Sequence, residues 1–156
     1  MDKAYISTGK LKYAVLDFPL EAIHPLAFKA SEATHCAQEQ GKFWEMHERF
    51  FANQRKLEPF NGHAEALGLD VAAFETCLKS GKYAKNIRQD MAEGQKGGTS
   101  GTPSFILGRT DPNDPSKVKG ISFIRGAQPF SAFKAQIDRA LTAAAQGIKA
   151  KAAETK

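Results

Sequence analysis

The sequence predicts an α/β fold in which a long helical insert separates the strands. Two observations carry this. Strand-like apolar runs lie near both ends, at Leu11 to Phe18, Ser104 to Leu107 and Val118 to Arg125, and helical punctuation fills about residues 24–97. A third feature marks the return to sheet: the Gly-rich approach Gly97-Gly98-Thr99-Ser100-Gly101 passes through Thr102-Pro103 into the apolar Phe105-Ile106-Leu107. The chain has 156 residues, one domain's worth, long enough to bury a core.

The elements follow in order. Leu11 to Phe18 alternates weakly, with Leu11, Tyr13 and Val15 against Lys12, Ala14 and Leu16, and stops at Asp17-Phe18-Pro19. It reads as a largely buried strand. His24-Pro25 opens a helix, since proline in the first turn loses no intrahelical bond. Leu26, Ala30, Ala33 and Ala37 form its stripe, and Gly41 closes it. A second helix carries Phe43, Met46, His47, Phe50 and Phe51 on one broad face and ends near Asn53. Arg55 to Gly62, holding Pro59, reads as a loop, and His63 to Leu67 as a short helix ended by Gly68. Asp70 caps the next helix, with Leu69 and Phe74 at hydrophobic-staple spacing across the cap, and Gly81 ends it. Tyr83, Ile87 and Met91 stripe a helix from Lys82 to about Lys96.

The two later strands flank the polar turn Asp111-Pro112-Asn113-Asp114-Pro115. Gly126 and Pro129 introduce a last helix striped by Phe130, Phe133, Ile137 and Leu141. Residues 1–147 are therefore expected to form one domain. The Ala/Lys-rich residues 148–156 have little to pack and are expected to be a flexible tail.

Composition narrows the function. Apolar residues make up 42% and charged residues 25%, as in globular domains, and the net charge of +5 is spread along the chain. Nucleic-acid binding needs a denser basic cluster than this. No apolar run approaches the ~18 residues of a bilayer span, which predicts no membrane insertion. The first residues, Met1 to Ser7, contain no apolar h-region, which predicts no signal peptide in this chain.

Few residues carry chemistry on their own. His24, His35, His47 and His63 share no metal-ligand spacing, so no metal site is predicted. His47 reads as a hydrogen-bonded core residue, Trp44 and the phenylalanines as core, and Glu45 and Glu48 as solvated faces. No G-x-G-x-x-G, P-loop or paired-carboxylate motif occurs, and no cofactor is predicted. Cys36 and Cys77 stand 41 positions apart on two predicted helices. Three readings are open for them: a redox pair, two separate small hydrophobes, or a structural disulfide suited to an oxidising compartment. Both occupy otherwise apolar positions, and they are expected to lie within disulfide reach. Pro103, judged by spacing alone, is a trans strand-starter.

Several stretches, in this order, resemble one family. They are Thr8-Gly9-Lys10 leading to Asp17-Phe18-Pro19-Leu20, Ile23-His24-Pro25-Leu26-Ala27-Phe28-Lys29-Ala30, Glu39-Gln40-Gly41-Lys42-Phe43-Trp44-Glu45-Met46-His47, Gly101-Thr102-Pro103-Ser104-Phe105 and Gly126-Ala127-Gln128-Pro129-Phe130. Over about residues 4–145 the chain resembles the DsbA-like thiol–disulfide oxidoreductases of the thioredoxin superfamily. The resemblance implies a DsbA-type thioredoxin fold. It also implies a cis bond before Pro103, with Thr102 and Pro103 presenting backbone to an extended peptide or protein substrate, and a periplasmic setting.

The chain departs from that family at its front. The family's first strand and Cys-x-x-C helix precede the equivalent of Leu11, whereas Ala4 to Gly9 resembles the end of that helix. The chain therefore reads as N-terminally truncated relative to the family, with no catalytic residue present. Three functions follow: an exchange enzyme lacking its Cys-x-x-C, a non-catalytic module binding extended peptides at the Pro103 loop, or a relative of the glutathione-dependent isomerases. The third needs a hydroxyl after a first strand that this chain lacks. A thioredoxin sheet without its central strand exposes unpaired edges; either the strands at Leu11 and Ser104 close up as an antiparallel pair or a second chain covers the edges, and the expectation is a homodimer formed through them.

Overall fold

The computed structural model describes residues 1–115 and 117–154. The chain divides into two compact units, Val15–Ser100 and the pairing of Met1–Ala14 with Gly101–Lys156.

The unit of residues 15–100 is helical: α1 (Ala27–Gln38), α2 (Phe43–Ala52), α3 (Phe60–Ala66), α4 (Val71–Ser80) and α5 (Ala84–Lys96). Helix α1 is the hub and touches each of the other four. Its stripe explains this: Ala33 and Ala37 are fully buried, and methyl side chains let neighbouring helices approach closely. Met46 and Phe50 of α2, Phe60 and Ala64 of α3, and Phe74, Cys77 and Leu78 of α4 close the core around them. Asp70 caps α4, its carboxylate accepting the Ala73 N–H at 3.0 Å, and Leu69 and Phe74 are both buried beside that cap. Gly81 ends α4 at φ 63°, a left-handed conformation that a Cβ would strain.

The expected strand at Leu11 to Phe18 does not form. Residues 11–20 are irregular, Tyr13 and Leu16 are exposed, and β1 and β2 are the only strands among the described residues. A strand exists only through a neighbour's ladder of backbone groups, and here a side chain does that work: the Asp17 N–H donates to Asp90 Oδ2 at 3.0 Å. Local alternation is too weak to hold an extended segment regular without that ladder.

In the second unit a π-helical turn (Asp2–Ile6) accompanies β1 (Ser104–Thr110), β2 (Val118–Arg125) and α6 (Phe130–Glu154). The strands are antiparallel, with Ser104 opposite Arg125, and the register shifts at Leu107/Gly108. Helix α6 covers one sheet face. Phe105 meets Phe133 edge-on at 4.9 Å, the Ser122 hydroxyl bonds Gln136 Oε1 at 2.6 Å, and Ile124 and Ile137 are buried. Tyr5 anchors the N-terminal turn to α6 by donating to Asp138 Oδ1 at 2.6 Å. Helix α6 continues past Gly147 to Glu154, whereas the sequence placed a flexible tail at 148–156; residues 155–156 lie outside the described residues.

Candidate functional site

The loop at the head of β1 is built by its neighbours. Ser104 Oγ donates to the Gly101 carbonyl at 2.7 Å, and the Gly126 N–H donates to the Pro103 carbonyl at 2.8 Å. These two bonds hold both ends of Thr102-Pro103, whose connecting peptide bond is cis. Thr102 itself is exposed, and among the described residues its backbone N–H and carbonyl have no hydrogen-bond partner. An exposed donor and acceptor on one residue, fixed at a strand's entrance, can pair with the backbone of an extended chain. The outer edge of β1 continues the same opportunity, because the sheet has two strands among the described residues.

Cys36 of α1 and Cys77 of α4 are joined by a disulfide, with Cα atoms 5.8 Å apart. Both sulfurs are buried, and the chain has no free cysteine. The bond ties the hub helix to α4 across a separation of 41 residues. Beside it, Glu39 Oε1 stands 3.3 Å from Cys77 Sγ and also receives the Tyr83 hydroxyl and the Lys82 ammonium, each at 2.7 Å. A disulfide sulfur carries no proton, so the sulfur contact is not a hydrogen bond. Burial, followed by the Glu39 hydrogen bond, pushes the Tyr83 phenol up to about 12.

A titratable pair that the sequence reading missed lies in the same unit. His35 Nε2 sits 2.6 Å from Asp17 Oδ2, and both side chains are largely buried. The hydrogen bond to Asp17 raises the His35 pKa against the opposing effect of burial. Burial pushes the Asp17 carboxyl up, yet bonds from His35 and Ser31 hold it below its ordinary value. The imidazole stacks on Tyr83 at 5.0 Å. Asp90, whose carboxylate takes the Asp17 N–H, is raised chiefly by burial. Tests of metal-ligand spacing cannot find a histidine–carboxylate pair 18 residues apart.

Two expectations for α2 need correction. His47 has no hydrogen bond among the described residues; it packs against Phe43, Trp44 and Phe51, and burial lowers its pKa. The hydrogen-bonded core histidine is His63, which accepts Arg49 Nε–H at Nδ1 and reaches the Lys56 carbonyl through Nε2. Trp44 is 46% exposed and Phe51 64%, so neither is core. The broad aromatic face exceeds what one helix–helix contact can cover, and Met46 and Phe50 occupy the buried part of it.

Comparison of the sequence with known proteins identifies its relatives. The family described as Thioredoxin (Thioredoxin_4) matches residues 1–139. A Na(+)/H(+) antiporter NhaA 3 of Salinispora tropica is 35% identical over 114 residues, 72% of this chain and 18% of that protein. An NhaA 1 antiporter of Salinispora arenicola is 37% identical over 99 residues, 62% of this chain and 15% of the relative. One from Mycobacterium sp. (strain KMS) is 35% identical over 101 residues, 62% of this chain and 16% of the relative. The chain thus spans less than a fifth of the length of these curated relatives. No helix among the described residues is long and apolar enough to cross a membrane. No solved structure matches the chain.

Proposed function

The chain belongs to the thioredoxin family, in its DsbA-like branch, and we propose that it serves disulfide exchange in protein substrates by receiving the substrate strand rather than by supplying thiols. The open backbone N–H and carbonyl of Thr102, at the head of β1, carry the reading. A substrate segment pairs there as an added strand and extends along the outer edge of β1. Exchange itself needs an accessible thiolate with a resolving thiol beside it. Cys36 and Cys77 are buried in their mutual bond, and no Cys-x-x-C occurs among the 156 residues. The disulfide suits an oxidising compartment, and the periplasm is the compartment that the family resemblance suggests. A second copy of the chain is a further candidate for the open sheet edges. Antiport, named for the relatives, concerns proteins of which the chain spans 18% or less and is not carried over.

A second reading, a module that binds extended peptides without any part in exchange, rests on the same loop. Insulin reduction and dithiol oxidation, measured beside peptide titration, separate the possibilities. The expected result is saturable binding of an extended cysteine-containing peptide with no turnover above background. Equal affinity for the same peptide with its cysteine replaced by serine favours the second reading. Turnover that disappears in a Cys36→Ala or Cys77→Ala variant overturns both.

A further inference from the structure

Cys36, Glu39 and Cys77 offer two sulfurs and a carboxylate oxygen that lie within 4.8 Å of one another. We propose that, once the Cys36–Cys77 disulfide is reduced, these three side chains bind a thiophilic divalent cation of the zinc class, so that the protein holds a metal site gated by its own redox state. The site is absent in the oxidised chain because a disulfide sulfur has neither the charge nor the basicity of a thiolate ligand.

The placement comes from two helices. Cys36 and Glu39 are three residues apart at the C-terminal end of α1, a spacing that puts both on one helix face. Cys77 reaches them from α4, its Cα 5.8 Å from that of Cys36. Two thiolates bound to one zinc at about 2.3 Å each stand roughly 4 Å apart. Side-chain rotation covers that change without moving either helix. Glu39 turns Oε1 to the sulfurs, 3.3 Å from Cys77 Sγ, and the Tyr83 and Lys82 contacts on that same oxygen hold the carboxylate beside the pair. Two thiolates and a carboxylate around Zn²⁺ carry a net charge of −1, and the Lys82 ammonium beside Glu39 offsets it. Glu39 is partly exposed, so water can complete a four-coordinate shell.

The chemistry balances in two steps. A dithiol passes two electrons and two protons to the Cys36–Cys77 bond, giving two protein thiols and its own disulfide. Zn²⁺ then displaces one proton from each thiol as the two Zn–S bonds form. Metal binding consequently opposes reoxidation, since the lone pairs that would rebuild the S–S bond are held by the cation.

The test uses the full chain, reduced with a phosphine, desalted without oxygen, and titrated with Zn²⁺ against a chromophoric chelator. The reduced chain should take up one zinc and the oxidised chain none. Cys36→Ser and Cys77→Ser should abolish uptake, and Glu39→Gln should weaken it about tenfold or more. Co²⁺ in place of zinc should give thiolate charge-transfer absorption in the reduced chain only. Circular dichroism guards against unfolding: if reduction costs helix, zinc must restore it. No uptake by the reduced chain, equal uptake by the oxidised chain, an unchanged affinity in Glu39→Gln, or lost helix that zinc fails to restore each overturns the proposal. None of these readouts depends on peptide binding at Thr102.

Discussion

At the residue scale, Asp17 and His35 form a largely buried pair that joins an irregular segment to helix α1. The irregular segment that contains Asp17 has no ladder, and the bond to His35 and the Asp17 N–H bond to Asp90 help to hold it against the helices. The pair stabilises only while the imidazole is charged and the carboxylate ionised. His35 has a raised pKa in the folded chain, so its contribution is complete below the ordinary histidine value and fades as pH rises through the folded one. Asp17 has a lowered pKa, so its contribution is complete above the ordinary carboxylate value and fades as pH falls through the folded one. The window therefore spans about pH 4 to 6.5. Both shifts describe one interaction and count once. Other groups around the pair are Ser31, Gln38, Asp90 and His47, and His47 opposes at acid pH because burial favours its neutral form. Asp17→Asn should cost about 1–2 kcal/mol within that window and progressively less on either side. Urea unfolding of both proteins across pH checks this, and a difference independent of pH would contradict it.

Gly108 is the other residue with a sharp expectation. A Cβ there would collide with Val118 Cγ1 and lie 2.7 Å from the Lys119 carbonyl oxygen, at the register shift of the hairpin. Backbone oxygen cannot turn aside as a flexible side-chain tip can. Gly108→Ala should therefore destabilise by about 1–3 kcal/mol, seen as a lower unfolding midpoint. Gly120, whose Cβ would meet only Ile106 at 3.5 Å, should tolerate the same change, with a loss of about 0.5 kcal/mol or less.

At the element scale, helices were legible and the first strand was not. Asp70, Leu69, Phe74 and Gly81 mark α4 from both ends because caps and staples are local chemistry, complete within a few residues. The hairpin was legible for a similar reason: its two alternating runs sit either side of a Pro- and Asp-rich turn, in which the Asn113 N–H donates to Asp111 Oδ1. Leu11 to Phe18 carried a pattern but no information about a neighbour, and a strand depends on one. Helix α6 ran in the opposite sense, continuing through Gly147 to Glu154, where alanine and lysine have high helix propensity. For the candidate site, the spacing placed Cys36 and Cys77 on apolar positions but left three readings open; the helix pair that joins them is a tertiary fact. Replacing both cysteines with alanine should lower stability by about 4 kcal/mol in the chain-entropy account of a loop this long. The check is the helical signal at 222 nm during urea unfolding. A loss below about 1 kcal/mol would mean that the unfolded chain keeps α1 and α4 together without the bond.

At the scale of the whole molecule, the proposed substrate-binding loop and the disulfide lie on different elements, the head of β1 and the α1–α4 pair. This thioredoxin-family chain has its two cysteines buried in one bond, and the proposed function places peptide binding at the Thr102-Pro103 loop and the open edge of β1. Backbone amide mapping by heteronuclear NMR, as an extended peptide is titrated in, tests this most directly. Saturable shifts should concentrate at Thr102 and along the outer edge of Ser104–Thr110, with an unchanged thiol count. Binding that leaves those amides unmoved, or their silence at millimolar peptide, would contradict the account.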